Sequence, residues 1–526
     1  MSNMFRLKSL VVGLGLAVGS LACAAAPAGT RVVAQAAALH AGDTVTGPMS
    51  LAAPMRVSVS LQLRNEAQLQ AFIANPNHPN LTPAQFTAQY GPSEADANAV
   101  AAWLTQHGFS QVTISPNRLL VSATAPAAAV QSAFHTSMER VHTHDGRDAF
   151  ANASDAVIPA SLHGVSGVIG LQTVHVPHFI GRTQKGRPGG GGGGGSIIGH
   201  NPTQFPSIYG GTSLPTAAGV TVGIISNGDL TQTLSDLNTF TSQNGLAAVT
   251  TQIVNTGGTG TDTSGTPEWD LDSQDIVAMS GGVGKLIFYA ANSLSNSDLT
   301  AAFNKAVSDN QAQVVNVSLG ECETSAYQDG SMAADDQILA LGVAQGQTFS
   351  ISTGDSGSNE CTKAPGGTTP SYPASSPYVI AVSGTSLSTG TSNSWVSETL
   401  WSKAGGSPST VEPKPSWQTQ GGGTTRDVAD VAFDADPNSG AIIIVNGSNA
   451  QYGGTSLAAP LFAATWARML AAHPTLGFAG PHLYTVSTAS YHDVTSGSNG
   501  GETATVGWDY ASGFGSGIVS ALNAGL

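Results

Sequence analysis

The chain of 526 residues contains 13 histidines, and none of them lies between His200 and His473. A serine hydroxyl is a weak nucleophile that needs an adjacent proton acceptor, for which histidine is the usual choice. In this long stretch, carboxylates are the candidates for that acceptor. Any serine nucleophile located there must therefore be activated by a carboxylate.

Charge is also scarce, since Asp, Glu, Lys and Arg make up 10% of the chain and the net charge is -15. A nucleic-acid-binding protein carries a basic patch, so we expect no nucleic-acid partner. Nothing after the N-terminal region approaches the ~20 apolar residues of a membrane span, and no spanning segment is expected. A surface whose ionic groups are mainly carboxylates loses charge in acid, which permits work at low pH.

The first 25 residues are typical of a secretory signal peptide. Arg6 and Lys8 form the basic region, Leu10–Leu21 the apolar core, and Ala22–Ala26 supplies small residues for cleavage. The mature protein is therefore expected to be secreted. A lipoprotein anchored through Cys23 is the alternative, although a serine stands three residues earlier, where leucine would be expected.

Cysteine is rare, with three residues in the whole chain. Removal of Cys23 with the signal peptide leaves Cys322 and Cys361, an even pair in an exported protein. Disulfides form and persist in oxidising compartments, which favours one disulfide between these two residues. Two buried free thiols are the alternative.

Two folded units are expected, because the chain is longer than one typical domain. Residues 26–180 predict a small α+β domain, since helical and strand-like patterns alternate there. The predicted strands are Val57–Leu61, Val112–Ile114 and Leu119–Ala123, and the predicted helices are Glu66–Ile73, Ala95–His107 and Ala127–Phe134. Residues 181–197 predict a flexible linker and a natural cleavage site, because Gly189–Gly195 is a glycine run that cannot pack.

Residues 198–526 predict an α/β domain with a doubly wound parallel sheet. Short β-branched runs there are continuously apolar and alternate with helical segments, which indicates a parallel sheet covered on both faces. The predicted strands are Val220–Ile225, Leu286–Tyr289, Val314–Leu319, Phe349–Ser352, Val379–Val382 and Ile442–Val445. Active sites in such sheets gather at the carboxyl ends of the strands, so residues that follow these runs are candidates.

Two carboxylates occur at the start of a predicted helix, where Thr266 is a suitable N-cap and Pro267 suits the first helical position. Glu268 and Asp272 are four residues apart and therefore share one helix face. Two such carboxyls can hold one proton jointly, as a base and the group that orients it. The alternative is that the helix dipole simply favours acidic residues in a first turn.

The string Gly354–Gly357, which reads Gly-Asp-Ser-Gly, follows the predicted strand that ends at Ser352. Ser356 is a poor nucleophile candidate, because the mechanism that this string suggests needs a histidine upstream. Asp355 could instead face a site at the end of the strand. On turn chemistry alone, the string is simply a loop.

A serine at a helix entrance is the better nucleophile candidate. Gly453–Pro460 reads Gly-Gly-Thr-Ser-Leu-Ala-Ala-Pro and opens an Ala- and Leu-rich run, with Pro460 tolerated in the first turn. Ser456 therefore lies where the helix dipole favours developing negative charge. A second Gly-Thr-Ser-Leu string at Gly384–Leu387 is expected to continue as a loop, and its Ser386 to be structural.

Near the C-terminus, Asp493 and Asp509 flank a loop rich in Gly, Ser and Asn. Together with backbone carbonyls, they supply the hard oxygen ligands that calcium prefers. His492, beside the first of them, is expected to be structural. On composition alone, a glycine-rich turn is the better interpretation of this stretch.

Taken together, these strings resemble the sedolisin family, the serine-carboxyl peptidases, which have a subtilisin-like fold. The motifs of Glu268, Asp272, Asp355 and Ser456 match the family's functional strings in the right order. The resemblance covers nearly the whole chain and implies a ferredoxin-like activation prodomain of the kumamolisin type. It also implies that Ser456 attacks the scissile carbonyl after Glu268 removes its proton. Asp272 would orient Glu268, and Asp355 would donate a hydrogen bond to the oxyanion.

The same resemblance implies one structural calcium ion and a disulfide. The calcium ligands would be Asp493, Val494, Thr505, Gly507 and Asp509, of which the middle three give main-chain oxygens. Thr505 departs from the family's usual glycine, but only its carbonyl is needed. Cys322 and Cys361 look like a disulfide pair of the pepstatin-insensitive bacterial branch, and Asn316–Gly320 looks like the segment that pairs with substrate backbone.

The implied function is a secreted acid endopeptidase, a monomer made as a zymogen, that acts on proteins and peptides. Its prodomain would be an intramolecular inhibitor, and self-processing is expected between about Arg182 and His200. We expect this site to work in acid for two reasons. A carboxylic acid donates a hydrogen bond only when it is protonated. A histidine of pKa about 6.5 would be protonated at low pH and could not act as a base. The alternatives are a binding protein without catalysis and a conventional serine hydrolase that uses His473, His482 or His492.

Overall fold

The computed structural model describes residues 29–183, 198–362 and 366–526. The predicted signal peptide and most of the predicted linker, including its glycine run, lie outside these residues. Within the described part of the chain, no helix combines the length and apolar character needed to cross a membrane.

The N-terminal domain is built on a four-stranded antiparallel sheet. The strands in spatial order are Ser110–Ile114, Leu120–Pro126, Pro54–Leu61 and Val165–Ile169. Helices Glu94–Gln106 and Ala127–Phe134 complete a β-α-β-β-α-β sequence, which is the ferredoxin-like arrangement. Trp103 and Phe134 meet edge to face in the core between helices and sheet, so the expected α+β prodomain fold is confirmed.

Further elements surround this sheet. Helices Glu66–Ile73 and Pro83–Gln89 precede the longer helix, and the remaining strands form a pair (Thr30–Ala34 with Ala156–Pro159) and a triplet (Thr44–Pro48, Met138–His142 and Asp148–Asn152). Thr82 caps the second of these helices, since its hydroxyl accepts from Gln85 N and the Gln85 side chain accepts from Thr82 N. That short helix and these five strands were not predicted from the sequence.

The second domain is built on an eight-stranded sheet whose core is parallel. Seven strands follow in the order Thr251–Thr256, Val283–Ala291, Ala217–Asn227, Val314–Val317, Thr348–Ser352, Ile380–Thr389 and Trp395–Leu400, and Val431–Asp434 also pairs with the sixth. Trp395–Leu400 is antiparallel to its neighbour. The helices that cover this sheet are Thr231–Gln243, Thr266–Ser280, Asn296–Asp309, Ser331–Ala344 and Thr455–Ala472. The predicted doubly wound α/β fold is confirmed.

Shorter elements complete this domain. Its other helices are Pro202–Gln204, Phe205–Ile208, Glu323–Asp329, Thr391–Asn393, Gly480–Leu483, Thr488–Ser490 and Val519–Gly525. Its other strands are Leu319–Cys322 with Ser371–Tyr372, Ser407–Pro413 with Thr425–Val428, Ala441–Val445 with Ser448–Gly453, and Tyr491–His492 with Ser516–Gly517.

Three local predictions were wrong. The run Val314–Leu319 is interrupted at Ser318, after which the chain turns into a different sheet. Ile442–Val445 belongs to an antiparallel hairpin and not to the parallel sheet, because its hydrogen-bond partner is the next strand along the chain. The Gly384–Leu387 string lies within a strand and not in a loop, although Ser386 is structural as expected, since its hydroxyl donates to Asp436 Oδ2 at 2.6 Å.

The predicted disulfide is present. Cys322 and Cys361 are bonded with their Cα atoms 4.5 Å apart, and the bond closes a sequence separation of 39 residues. It joins the start of helix Glu323–Asp329 to the loop that follows Asp355. The bond thus ties the strand that borders the candidate site to one of the candidate site loops.

Candidate active site

Helix Thr266–Ser280 places the two predicted carboxylates one turn apart. Gly265, and not Thr266, occupies the N-cap position, and the Thr266 hydroxyl donates to Thr263 O at 2.9 Å. Glu268 is 5% exposed and Asp272 is fully buried. Both carboxyls therefore lie in an interior where an isolated negative charge is costly.

The two buried carboxyls influence each other electrostatically. Burial raises the pKa of Glu268 well above its ordinary value, and the neighbouring Asp272 adds to the rise. Burial likewise raises the pKa of Asp272. Glu268 Oε1 and Asp272 Oδ2 both lack a hydrogen-bond partner of standard geometry. One proton held jointly by the pair removes the repulsion between them.

Asn316 and Ser318 belong to the segment expected to pair with substrate backbone, and they also support Asp272, a role that was not predicted from the sequence. The Ser318 hydroxyl donates to Asp272 Oδ1 at 2.6 Å, and Asn316 Nδ2 donates to Ser318 Oγ at 3.2 Å. Burial raises the Asp272 pKa, and the interactions of Ser318 and of Asn316 with this carboxyl partly oppose that rise. The sequence contained a signal for this role, because the polar residues Asn316 and Ser318 interrupt an otherwise apolar run. Both residues are buried in the structure.

Ser456 is the second residue of helix Thr455–Ala472 and is fully buried. Its hydroxyl lies against Glu268 and lowers the pKa of that carboxyl, but Ser456 Oγ makes no hydrogen bond of standard geometry. Contacts of this kind between nucleophile and base often tighten only as the transition state is approached. Pro460 is the sixth helical residue, not in the first turn as predicted, and it cannot donate to the carbonyl of Ser456.

Asp355 lies beyond the end of strand Thr348–Ser352 and is tied directly to the nucleophile helix. Its Oδ1 accepts from Thr455 N at 2.8 Å and from Thr455 Oγ1 at 3.1 Å. Its Oδ2 lies on the Gly454 side, 2.7 Å from the point that a Cβ of residue 454 would occupy. The residue just before the helix is therefore required to be small, and its φ of 105° also favours glycine.

The chain's own segment from His178 to Thr183, here called the tail, runs through this site as an extended strand. His178 and Phe179 pair antiparallel with Gly320 and Leu319, within the segment predicted to hold substrate backbone. Beyond the site, Arg182 and Thr183 pair antiparallel with Gly453 and Tyr452. The tail thus fills a cleft between two strand edges of the second domain.

Between these two pairings, the peptide unit Ile180–Gly181 faces the candidate catalytic groups. Gly181 N donates to Glu268 Oε2 at 3.0 Å. The Ile180 carbonyl oxygen lies 2.8 Å from the same Cβ point of Gly454 that Asp355 Oδ2 approaches. Two of the four predicted catalytic residues, Glu268 and Asp355, therefore lie beside one peptide unit, and the Ser456 hydroxyl lies against Glu268.

The histidines that could have served a conventional mechanism have other contacts. His473 Nε2 lies 3.2 Å from Asn523 O, and His492 stacks on Trp395 with ring centroids 3.8 Å apart. The ring of His482 lies against Trp466. These contacts place each imidazole in local packing and give no support to an imidazole base.

The five residues predicted to bind calcium are brought together. Gly507 N donates to Asp493 Oδ2 at 2.8 Å, and Thr505 N donates to Asp509 Oδ2 at 2.8 Å. Among the described residues, no N–H or O–H donates to the carbonyls of Val494, Thr505 or Gly507. Two carboxylates with three such carbonyls fit an oxygen-ligated cation. In the part of the chain that the structure describes, no cluster of three or more His, Cys, Asp or Glu side chains could hold a metal.

Comparison with known families agrees with this architecture. The family model described as "Pro-kumamolisin, activation domain" matches residues 41–174, and the model described as "Subtilase family" matches residues 220–515. The two matches coincide with the two folded domains. They define the class of protein as a subtilase preceded by an activation domain, that is, a serine peptidase made as a zymogen.

Individual relatives narrow this class. Sedolisin of Pseudomonas sp. (strain 101) is 43% identical over 98% of this chain and 96% of its own length. Xanthomonalisin of Xanthomonas sp. (strain T-22) is 42% identical over 89% of this chain, which spans 65% of that relative. Kumamolisin of Bacillus sp. (strain MN-32) is 28% identical over 88% of this chain and 90% of its own length.

A solved structure supports the same assignment to the serine-carboxyl peptidases. Pseudomonas sedolisin, described as a serine-carboxyl proteinase complexed with two molecules of pseudo-iodotyrostatin, has a TM-score of 0.61 and 46% sequence identity. The match covers 63% of this chain and 98% of the solved chain. This chain belongs to the sedolisin family of serine-carboxyl peptidases.

Proposed function

We propose that this protein is a secreted endopeptidase, active in acid, whose nucleophile is activated by carboxylic acids. The observation that carries the proposal is the convergence of Glu268, Asp355 and the Ser456 hydroxyl on one extended peptide, with Asp272 behind the first. Side chains arranged around both ends of a peptide bond suit acyl transfer. Peptides and proteins are the proposed substrates.

In the proposed mechanism, Ser456 Oγ attacks the scissile carbonyl carbon while Glu268 accepts the hydroxyl proton. Asp272 orients Glu268, and the Ser318 hydroxyl holds Asp272. Glu268 then returns the proton to the leaving nitrogen, whose counterpart in the bound tail, Gly181 N, lies 3.0 Å from Glu268 Oε2. Water hydrolyses the acyl-enzyme by the same steps in reverse order.

Asp355 is proposed to donate to the oxyanion. Its Oδ1 is fixed by two donors of Thr455, which leaves Oδ2 on the side of the substrate carbonyl. A donor placed where negative charge develops stabilises the transition state, but an ionised carboxylate would repel that charge. The proposed site therefore works only while Asp355 is protonated, which requires acid.

The zymogen is proposed to consist of the prodomain at residues 26–180, the linker at 181–197 and the peptidase domain at 198–526. The tail keeps external substrates out because it occupies the cleft. Self-processing would remove the prodomain in acid. A Ser456→Ala protein should stay intact at pH 4, whereas the parent chain is cut; equal processing of both proteins would refute autocatalysis.

Calcium binding at Asp493, Val494, Thr505, Gly507 and Asp509 is a second part of the proposal. A bound ion would join two loops of the peptidase domain, and ligand binding stabilises the native state by about 3 kcal/mol at a hundredfold excess over Kd. EDTA should therefore lower the Tm of the parent protein. The same treatment should leave the Tm of an Asp493→Ala protein unchanged, and an equal shift in both would contradict the site.

The experiment that tests the proposed activity is cleavage of a denatured protein at pH 4 with pepstatin present. The processed protein should cut this substrate, and the Ser456→Ala protein, processed with the parent enzyme, should not. A processed parent protein that cuts nothing would favour the alternative, a binding protein on a peptidase scaffold.

Recovery of the protein from culture medium, with its first 25 residues absent by mass spectrometry, tests secretion. Elution of the processed protein at monomer size tests the expected oligomeric state.

A further inference from the structure

The position of the tail carries an inference about which bonds the enzyme cuts, and it rests on the proposed function. We propose that the cleft selects an aromatic residue, then a branched aliphatic residue, then glycine, with cleavage before the glycine. The chain's own Phe179-Ile180-Gly181 has this pattern. The Ile180–Gly181 bond is thereby the first bond cut in the zymogen, just before the window of 182–200 expected from the sequence.

The two ends of this peptide unit meet the groups that hydrolysis needs. Its nitrogen must gain a proton, and Gly181 N already contacts Glu268 Oε2 at 3.0 Å. Its carbonyl oxygen must bear negative charge, and it shares the space beside Gly454 with Asp355 Oδ2. When the carbon–nitrogen bond breaks, the Ser456 proton passes through Glu268 to the Gly181 nitrogen, and the Ile180 carbonyl becomes an ester on Ser456.

The register of the tail is fixed on both sides of this bond. Phe179 pairs with Leu319 on one edge, and Arg182 pairs with Gly453 on the other. A shift by one residue would turn every side chain of the tail to the opposite side of the strand. The bond presented to the catalytic groups is therefore set by which side chains fit the neighbouring pockets.

The first pocket accepts an aromatic ring. Phe179 meets Trp269 edge to face, with ring centroids 5.6 Å apart and planes at 81°. The tip of the Phe179 ring also lies 2.9 Å from the point that a Cβ of Gly265 would occupy. Edge-to-face pairs contribute beyond simple burial, and the absent side chain at Gly265 makes the room for the ring.

The second pocket accepts a branched aliphatic side chain. Ile180 is 3% exposed, and its Cδ1 lies 3.2 Å from the Cβ point of Gly320. At Gly181, by contrast, a Cβ would collide with Glu268 Oε2. A larger residue after the cut bond would therefore displace the base from its position.

The test uses the processed protein and the peptide Pro-His-Phe-Ile-Gly-Arg-Thr, with the sequence of residues 177–183. Mass spectrometry at pH 4 should show cleavage between Ile and Gly. Separate peptides that replace Phe by Ala, Ile by Gly, or Gly by Leu should lose ~10- to 100-fold in kcat/KM, the range for losing a hydrophobic contact. Equal rates for all four peptides, or cleavage at another bond, would overturn the proposal.

Controls separate this proposal from the proposed function. A denatured protein that is cut while the Phe-Ile-Gly peptide resists would refute the specificity and leave the peptidase standing. If neither substrate is cut, the proposed function itself fails. In the zymogen, the first prodomain fragment should end at Ile180, and a Phe179→Ala chain should process more slowly; a first fragment that ends elsewhere would contradict the assignment.

An independent observation concerns how the tail is released. Three imidazoles of the prodomain, here called the histidine cluster, lie in contact. The His40 ring is 4.4 Å from the His175 ring and 5.4 Å from the His144 ring, centroid to centroid. Asp43 accepts from His144 Nδ1 at 2.9 Å and from His40 N at 2.8 Å.

The charged groups around this cluster are few. Asp145 and Arg147 pair with each other at 2.8 Å and face it from the adjoining turn, while Asp43 faces it from its own loop. From the peptidase domain, Asp329 lines the same small cavity as His175. Protonation of His40 and His175 would add two positive charges near Arg147, which is paired with Asp145.

The cluster is connected to the tail through Gln172. Gln172 Nε2 donates to His175 O at 3.0 Å and also to Asp329 Oδ2 of the peptidase domain at 2.6 Å. The tail begins three residues after His175. A disturbance of the cluster therefore reaches both an interdomain hydrogen bond and the segment that enters the cleft.

We infer that the histidine cluster is an acid-sensitive latch that weakens prodomain docking as pH falls below about 6.5. Burial lowers the pKa of His40 and His175, so both imidazoles resist protonation while the cluster is packed, and protonation in acid favours its opening. Each of these histidines can then weaken docking by up to about tenfold per pH unit. Among the described residues, one ion pair of a Lys or Arg with a carboxylate joins the two domains, between Arg56 and Asp298 at 3.9 Å. Loss of interdomain ion pairs in acid therefore explains little of the release of the prodomain.

Hydrogen exchange of residues 178–183 in the uncut Ser456→Ala chain tests the latch without catalysis. Exchange of the parent tail should rise as pH is lowered from 7 to 4, after correction for the intrinsic rate. A His40→Phe chain, which keeps a ring in place, should need a more acidic pH for the same opening. The exposed His163→Gln chain is the matched control. Coincident pH profiles for His40→Phe and the control would refute the latch.

Discussion

The two domains respond to protons in opposite directions. Nine of the 13 histidines lie between His40 and His178, in the prodomain and its tail, and four lie in the peptidase domain. In the prodomain, hydrogen bonds lower the pKa of the buried Asp43 side chain although burial opposes them. In the peptidase domain, burial raises the pKa of carboxyls such as Glu268, Asp270 and Asp275.

This difference has a thermodynamic meaning. A group whose pKa is lowered by folding loses its stabilising contribution as pH falls, whereas an acid whose pKa is raised loses it as pH rises. Through these groups, acid weakens the inhibitor domain and favours the enzyme domain in the same chain. The zymogen can be stable at neutral pH and still release an enzyme that is most stable in acid.

The largest expected effect tests the carboxyl pair itself. Glu268→Gln removes the proposed base, and loss of general acid–base catalysis should lower kcat/KM by about 10⁴-fold. Asp270→Asn, on the same helix but outside the proposed mechanism, is the matched control and should stay within tenfold of the parent. Peptide hydrolysis at pH 4 measures both, and a Glu268→Gln protein as active as its control would contradict the assignment.

Next in size is the effect of the disulfide on the peptidase domain. Replacing both Cys322 and Cys361 by serine should destabilise that domain by about 2–5 kcal/mol, because the unfolded chain regains the freedom of a long loop. Urea unfolding of the Ser456→Ala zymogen should show this as a shift of the peptidase transition alone. An equal shift of the prodomain transition would mean that the two domains do not unfold separately.

Asp270, a buried acid beside Asp236, tests the pH response of the peptidase domain. Burial and that neighbour raise the pKa of Asp270 to about 9, so it destabilises the fold increasingly as pH rises above about 4. At pH 7, Asp270→Asn should raise the free energy of unfolding by roughly 2–4 kcal/mol, and the Tm should rise with it. At pH 3, both quantities should stay nearly unchanged. Thermal unfolding at both pH values measures this, and a gain confined to pH 3 would reverse the sign of the argument.

The smallest effect belongs to the prodomain. Hydrogen bonds from Thr143 and Arg147 lower the pKa of Asp145 to about 2, against the effect of burial. Because the side chain is 46% exposed, Asp145→Asn should cost the prodomain at most about 1 kcal/mol at pH 7. The cost should vanish below pH 2, where Asp145 is protonated in both states. Prodomain unfolding in the Ser456→Ala zymogen tests this, and a cost that persists in acid would show another cause.

Much of the site could be predicted because its signals are local. Glu268 and Asp272 share a helix face through their spacing of four, and Ser456 lies in a glycine-bounded helix start. The parallel sheet was recognisable from continuous apolar runs, since strands buried on both faces need no alternation. Strand Ala441–Val445 has the same composition and was misassigned for that reason, because only its pairing partner distinguishes it.

What the sequence could not provide depends on contacts between distant parts of the chain. Ser318 supports Asp272 across 46 residues, and Gly181 reaches Glu268 across 87 residues. The histidine cluster joins residues from three separate loops. No spacing rule connects such residues, so neither the bond presented to the site nor the latch could be read from the chain alone.

The central claim is that side-chain acids carry the protons at Ser456. The most direct test is the pH dependence of kcat/KM for the processed protein on a peptide without titratable side chains. The account predicts an optimum in acid and a fall towards neutral pH, because the proposed oxyanion donor works only as a carboxylic acid. An activity that instead rises through pH 6.5 to a plateau above pH 7 would indicate an imidazole base and contradict the account.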